Sequence, residues 1–172
     1  MSAASQRSIL IICHANTSRS IIAQELLRRM LAGHERAKAV GVCSGGVAPY
    51  ARDGALVSLD ARLVLRDEGI HISSESVSTD LRRNRQLVDR ADLILAMTAQ
   101  QIEMLRDQFP EAAGKPVFTL KAIAGGEGDI EDPVGKGEAV YSACLAEIKA
   151  CLTAGIERIL EQAHGRSRVT VD

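Results

Sequence analysis

A cysteine, five residues and then Arg-Ser make up the stretch Cys13-His14-Ala15-Asn16-Thr17-Ser18-Arg19-Ser20. These types at this spacing suit capture of an oxyanion followed by nucleophilic attack on it. Arg19 comes six positions after the thiol, where its planar fork can clamp two oxygens of a bound phosphate. A helix N-terminus and a neighbouring arginine favour the thiolate, the nucleophilic form of cysteine. Ser20 can donate a hydrogen bond to the sulfur, stabilising it as thiolate and as leaving group in a second step. A proton donor for the leaving group is also needed, and the same group can then activate water as a base. Asp129, Glu131 and Asp132 lie together in a glycine-rich loop far downstream. Spacing alone does not choose among them. The competing reading of Cys13 is a buried strand-end cysteine; the coincidence of strand, cysteine, Arg-Ser and helix favours the nucleophile.

Around this stretch, the apolar run Ile9-Leu10-Ile11-Ile12 reads as a strand. The periodic residues Ile21, Ile22, Leu26, Leu27 and Met30 read as a helix from about Ser20 to Ala32. The loop between them forms the helix N-terminus, where backbone N–H groups of Ala15 to Ser20 converge and the macrodipole places partial positive charge. A second strand is expected over Ala39 to Cys43, ending in the turn Ser44-Gly45-Gly46. Asp53 is then expected to cap a helix with Leu56, Leu59, Leu63 and Val64 on its apolar face, stopped by Gly69. Ile70 to Asp80 reads as a serine-rich loop beside the active-site face, followed by a short helix from Leu81 to Val88. Asp92 to Met97 is a continuous apolar strand suited to burial on both faces, with Asp92 itself structural. Thr98 and Gln101 form a capping box opening a helix that ends near Phe109-Pro110.

After a strand over Val117 to Leu120, the stretch Ala124 to Gly137 holds five glycines and Pro133. It is the longest loop, and functional residues concentrate in such loops. A final helix is expected over Glu138 to His164, with Val140, Cys144, Ile148, Cys151, Leu152, Ile156 and Ile159 on one stripe. The sum is one α/β domain over residues 1–172, with residues 1–7 and 165–172 as flexible ends. Its four-stranded, mainly parallel sheet has the order 2-1-3-4 and helices on both faces. That order puts the Cys13 loop at the switch point beyond the strand ends, where such sheets bind ligands.

Composition bounds the function. The chain has 172 residues, 46% hydrophobic and 25% charged, with formal net charge −1, as in an ordinary globular protein. Such a balance gives no electrostatic case for nucleic acid or an anionic membrane. Four cysteines without clustered spacing, and no N-terminal apolar run of signal length, point to reduced thiols in the cytoplasm. No apolar run approaches membrane-spanning length. His14, His34, His71 and His164 lack metal-ligand spacing, so neither metal nor other cofactor is expected. His14 is expected to point to solvent. Asn16 is expected to be structural, since asparagine tolerates the left-handed conformation of a tight loop. Cys144 and Cys151 read as core residues, Cys43 as a strand-interior cysteine, and Arg82, Arg83, Arg85 and Arg90 as a solvated face.

The octapeptide from Cys13 to Ser20 resembles the signature loop of the low-molecular-weight protein tyrosine phosphatases. The resemblance extends to Ser44-Gly45-Gly46, to Ala91 through Thr98, to Val117-Phe118-Thr119-Leu120 and to Asp129-Ile130-Glu131-Asp132-Pro133, spanning roughly residues 8 to 160. Several matched segments in order are far more specific than one loop. It implies a cysteinyl-phosphate mechanism with Cys13 as nucleophile, Arg19 as clamp and Asp132, through its Asp-Pro context, as general acid. His14, Ala15, Asn16, Thr17, Ser18, Ser20 and Val134 would line the substrate site, and the partner would be a phosphorylated protein.

Four departures bear on the mechanism. Ser18 stands where bacterial members often have a second cysteine, so the loop has no partner thiol for a protective disulfide. Ala15 replaces the usual glycine, Ile21 the usual proline, and Ser76 aligns with a histidine that commonly braces the loop. Thr17 occupies the position where arginine-phosphate phosphatases of this family carry threonine and tyrosine-directed members usually carry a larger aliphatic residue. Val134 follows Asp-Pro where both groups carry an aromatic. The balance leans to phosphoarginine, with phosphotyrosine as the alternative. An arsenate reductase is a rival on the same fold but needs relay cysteines in mid-chain, and none lies between Cys43 and Cys144. A phosphate-binding module without turnover is the non-enzyme rival.

Overall fold

All four residues of Ile9-Leu10-Ile11-Ile12 are fully buried, because their strand sits inside a parallel sheet covered on both faces. The computed structural model describes residues 6–165, so most of the expected flexible ends, 1–5 and 166–172, lies outside the described residues. Strand β1 (Arg7–Cys13) pairs in parallel with β2 (Val40–Gly46) and with β3 (Leu93–Ala96), and β3 pairs in parallel with β4 (Val117–Thr119). The sheet order is 2-1-3-4, as expected, with every pairing parallel.

Alternation along β1 divides the core in two. Ile9, Ile11 and Cys13 join the apolar faces of α1 (Arg19–Ala32), α2 (Leu59–Asp67) and α6 (Glu138–His164), while Leu10 and Ile12 face Val88 of α3 (Gln86–Arg90) and Leu105 of α4 (Ala99–Gln108). Each fully buried Ile or Leu is worth roughly 1.5–3 kcal/mol of transfer free energy, so β1 is the energetic centre of the sheet. The register pairs Cys13 with Gly46 and Ile12 with Ala96, which brings the strands' carboxyl ends out on one side.

Several boundaries differ from expectation. The second strand runs on through Ser44-Gly45-Gly46, since Gly46 N–H bonds the Thr79 carbonyl at 2.9 Å and bridges Asp80. Asp53 caps no helix: its carboxylate accepts from the Asp80 N–H at 2.8 Å and the Asn84 amide at 2.9 Å. Ser58 caps α2 instead, accepting from Ala61 N–H, which leaves Leu56 and Leu59 about 70% exposed. The expected helix over Leu81 to Val88 is a turn followed by the five-residue α3. Leu120 leaves β4 and opens a short helix α5 (Leu120–Ile123), capped by Thr119.

The Thr98–Gln101 capping box and both ends of α6 are as expected. On the α6 stripe Tyr141 is buried and Val140 exposed. By length and composition α6 does reach membrane-spanning size, but its buried residues Tyr141, Cys144, Leu145, Ile148, Leu152 and Ile159 belong to the core beside β1. Arg82 and Arg85 are ion-paired, to Asp80 at 3.0 Å and Glu111 at 2.7 Å, whereas Arg83 and Arg90 are exposed. Asp92 is structural, accepting from Ser8 N–H at 2.9 Å and from Arg7.

Candidate active site

Strand β1 ends at Cys13, and the next five residues turn sharply enough to start α1 at Arg19. The turn depends on Asn16, which is buried at φ 61°, a left-handed conformation that asparagine tolerates better than most residues. Its side chain then pins the loop. The Asn16 amide donates to Ser20 Oγ at 2.8 Å and Ser44 Oγ at 2.9 Å, and its carbonyl oxygen accepts from Thr79 N–H at 2.9 Å. Cys13 Sγ receives the Asn16 backbone N–H at 3.2 Å and lies 2.9 Å from Ser20 Oγ. The Asn16 N–H therefore points at the sulfur, and the Ser20 hydroxyl lies within hydrogen-bonding reach of it.

Ser18 is the N-cap residue of α1 but makes no side-chain cap. Its hydroxyl instead lies 3.0 Å from Ser58 Oγ and 3.1 Å from Tyr141 Oη, tying the loop to α2 and α6. The N-terminal turn of α1 is thus left without a side-chain acceptor, as a helix end that receives an anion requires.

Arg19 is 3% exposed. Its Nη1 donates to the Ile130 carbonyl at 2.7 Å, and its Nη2 lies 3.2 Å from His14 Nδ1 and 3.5 Å from Asp132 Oδ2. One guanidinium thereby joins the Cys13 loop to the loop that precedes α6. Of the three candidate acids in that loop, Asp129, Glu131 and Asp132, the last reaches the site. Asp129 accepts from Ala99 N–H at 2.9 Å at the start of α4, and Glu131 is 88% exposed with Lys136 at 3.8 Å. Asp132 remains half-exposed and accepts the Val134 N–H at 3.1 Å.

His14 does not simply point to solvent. It is half-buried, accepts from Gln101 Nε2 at 3.0 Å, and burial first, then the Arg19 charge, holds its pKa below the ordinary 6.5. A cavity of ≈ 230 Å³ is lined by Cys13, His14, Ala15, Thr17, Ser18, Arg19, Tyr50, Asp132 and Val134. Its size is below the range for drug-sized ligands and suits a phosphate with the end of one side chain. Sequence reasoning missed Tyr50, Gln101, Ser58 and Tyr141. Tyr50 had a signal, being one of only four aromatics and lying in the turn after β2.

Comparison with known proteins decides the family. A family model described as low molecular weight phosphotyrosine protein phosphatase matches residues 8–164. The chain belongs to that family. It is 35% identical over 155 residues to a protein-arginine-phosphatase of Geobacillus stearothermophilus, covering 90% of this chain and 94% of the relative. It is 33% identical over 153 residues to the probable low molecular weight protein-tyrosine-phosphatase EpsP of Ralstonia solanacearum, covering 89% and 96%. The solved low molecular weight protein tyrosine phosphatase from T. tengcongensis superimposes with TM-score 0.77 at 34% identity, covering 88% of this chain and 99% of that one.

Membership in this phosphatase family gives the loop's departures a structural meaning. Ser76 does not reach the loop, its carbonyl accepting from Arg62; Ser44 and Thr79 hold Asn16 in place. Ile21 is buried in the core, so it packs where a proline would stiffen. Cys144 and Cys151 are buried on α6, and burial pushes the Cys144 thiol up to about 11, unlike a relay cysteine, which needs a low pKa.

Proposed function

We propose that this phosphatase hydrolyses phosphorylated protein side chains in two steps, with Cys13, Arg19 and Asp132 as its catalytic residues. In the first step Cys13 Sγ attacks phosphorus and the bond from phosphorus to the leaving group breaks. Arg19 and the N–H groups of the loop hold the equatorial oxygens, and Asp132 gives its proton to the departing atom. In the second step Asp132 takes a proton from water, the water oxygen bonds to phosphorus, and the S–P bond breaks to release phosphate and the thiolate. Ser20, 2.9 Å from the sulfur, eases that departure. The observation that carries this reading is the convergence on one small cavity of a sulfur that receives the Asn16 N–H and lies beside the Ser20 hydroxyl, a buried guanidinium and a carboxylate 3.5 Å from that guanidinium.

Phosphoarginine is the favoured substrate. Thr17 and Ala15 line the cavity with small side chains, which leaves room for a guanidinium, and the identity to the Geobacillus arginine phosphatase supports it. The phosphotyrosine alternative is favoured by Tyr50, which lines the same cavity and is 67% exposed, so that it offers a phenyl ring one stacking face. We read residues 1–172 as one phosphatase domain without metal or cofactor, acting in the cytoplasm, a location supported by the four free thiols.

The test is phosphate release from matched phosphoarginine and phosphotyrosine peptides, with Cys13→Ser as blank. Preference for phosphoarginine supports the Thr17 argument, and preference for phosphotyrosine transfers the weight to Tyr50. Cys13→Ser should abolish turnover while still binding phosphate analogues; substantial residual turnover would overturn the mechanism.

A further inference from the structure

His14 opens the phosphate loop, and its ring meets Arg19 on α1 and Gln101 on α4. Gln101 is fully buried, and its Oε1 accepts from two backbone N–H groups, Met97 at 2.9 Å and Thr98 at 3.2 Å. Those two donors fix the orientation of the amide, since reversing it would set an NH2 group against both. The Gln101 Nε2 must therefore be the atom 3.0 Å from His14 Nδ1, and it can only donate. Arg19 Nη2, 3.2 Å from the same Nδ1, can also only donate. The ring nitrogen between them has to be an acceptor, so the proton of the neutral ring resides on Nε2.

The charged groups that face this ring are Arg19 on α1 and Asp132 on the loop before α6; from α4 come two uncharged amides, Gln101, which meets Nδ1, and Gln100, whose side-chain hydrogen bond favours the protonated ring. A proton on Nδ1 would point at two donors, one of them cationic. It would leave Arg19 with the Ile130 carbonyl and Asp132 as partners, both on the other loop. We propose that His14 is a positioning residue for Arg19, a neutral Nε2–H imidazole whose Nδ1 holds the guanidinium toward the phosphate loop, so that ring protonation frees Arg19 and weakens oxyanion binding.

The inference rests on the proposed role of Arg19 as clamp, and the experiment separates the two. Long-range 1H–15N correlation on histidine-labelled protein reads the tautomer without any turnover; Nε2–H at neutral pH is expected, and Nδ1–H overturns the proposal. Competitive inhibition by sulfate, against p-nitrophenyl phosphate, then reads Arg19. His14→Ala should weaken sulfate binding roughly tenfold, the loss of one charge-assisted hydrogen bond. His14→Asn places an amide oxygen near the Nδ1 position and should recover most of that loss. Between pH 7.5 and 5.5 the wild type should lose more sulfate affinity than His14→Asn, which has no titrating ring, by a factor that stays below about ten because the ring is only partly protonated at the lower pH. Sulfate binding that tightens as the ring protonates, or an asparagine variant no better than alanine, overturns the proposal. Absence of wild-type turnover on p-nitrophenyl phosphate would instead count against the phosphatase mechanism and leave the tautomer result standing.

Discussion

At the scale of single residues, the site divides its labour between groups that react and groups that hold them. Asn16 connects Ser20, Ser44 and Thr79, and one left-handed residue thus fixes both the sulfur's environment and the loop's attachment to β2. Asp132, by contrast, is half-exposed and free to exchange protons with a leaving group or water. Its removal should therefore be felt in proportion to the proton its substrate demands. Asp132→Asn is expected to lower kcat/KM, which reads the first step and not the shared hydrolysis of the cysteinyl phosphate, by about 10²–10⁴-fold for a substrate whose leaving group departs as a strong base. A phosphoarginine guanidine is such a group, because cleaving its P–N bond without a proton would expel an anion. For p-nitrophenyl phosphate, whose phenolate leaves readily, the loss in the first step should be much smaller. Steady-state kcat/KM values on the two substrates check this, and equal losses in kcat/KM would remove Asp132 from the role of acid.

At the scale of elements, β2 acts as the support of the phosphate loop. Its last residue bonds Thr79, and the next two N–H groups, Val47 and Ala48, donate to the Cys13 and His14 carbonyls, each at 3.0 Å. Close approach is possible because Gly46 has no side chain. A Cβ there would stand 2.7 Å from the His14 carbonyl oxygen and 2.9 Å from Ala51 Cβ. Gly46→Ala should therefore push the loop off its geometry, lowering kcat/KM by roughly 10²-fold and costing about 1–3 kcal/mol in stability. Gly33→Ala, where nothing lies within 4 Å, is the control and should behave as wild type in both assays. The elements themselves were legible wherever local pattern decides. The run Ile9 to Ile12, the Thr98–Gln101 box and the 27 residues of α6 each carry their own periodicity or cap. Asp53 and the stretch after Leu81 were misread because their partners are remote: a carboxylate that would cap a helix locally is satisfied by Asp80 and Asn84. In the site, Cys13, Arg19 and Asp132 were legible from motif and resemblance. The contact of Gln101 with His14, 87 positions away, has no trace in sequence spacing.

At the scale of the whole molecule, the order 2-1-3-4 makes the chain leave β1 at the point where connections diverge to the two sides of the sheet. The phosphate loop thereby meets the turn after β2 and the long loop after β4. Helix α6 closes the face beneath them, its Tyr141 reaching Ser18 and Ser58. Near the other end of α1, Glu68 clasps three helices. Its carboxylate lies 2.9 Å from both Arg29 on α1 and Lys149 on α6, and its carbonyl accepts from Arg29 at 2.7 Å. Lys149 first, then Arg29, holds the Glu68 pKa below its ordinary 4.5. A carboxylate with a depressed folded pKa stabilises the fold above the unfolded value, because between the two values the unfolded chain binds more protons. That contribution is complete above about pH 5 and is lost as the pH falls through the lower folded value. Each partly exposed pair is worth roughly 0.2–1 kcal/mol, so Glu68→Gln should lower Tm at pH 7 by about 2–4 °C. The gap should shrink steadily below pH 4.5 and close once the wild-type carboxyl is protonated. Thermal unfolding of both proteins across that range tests the clasp; a gap that persists unchanged into acid would mean that Glu68 acts through packing and not through its charge.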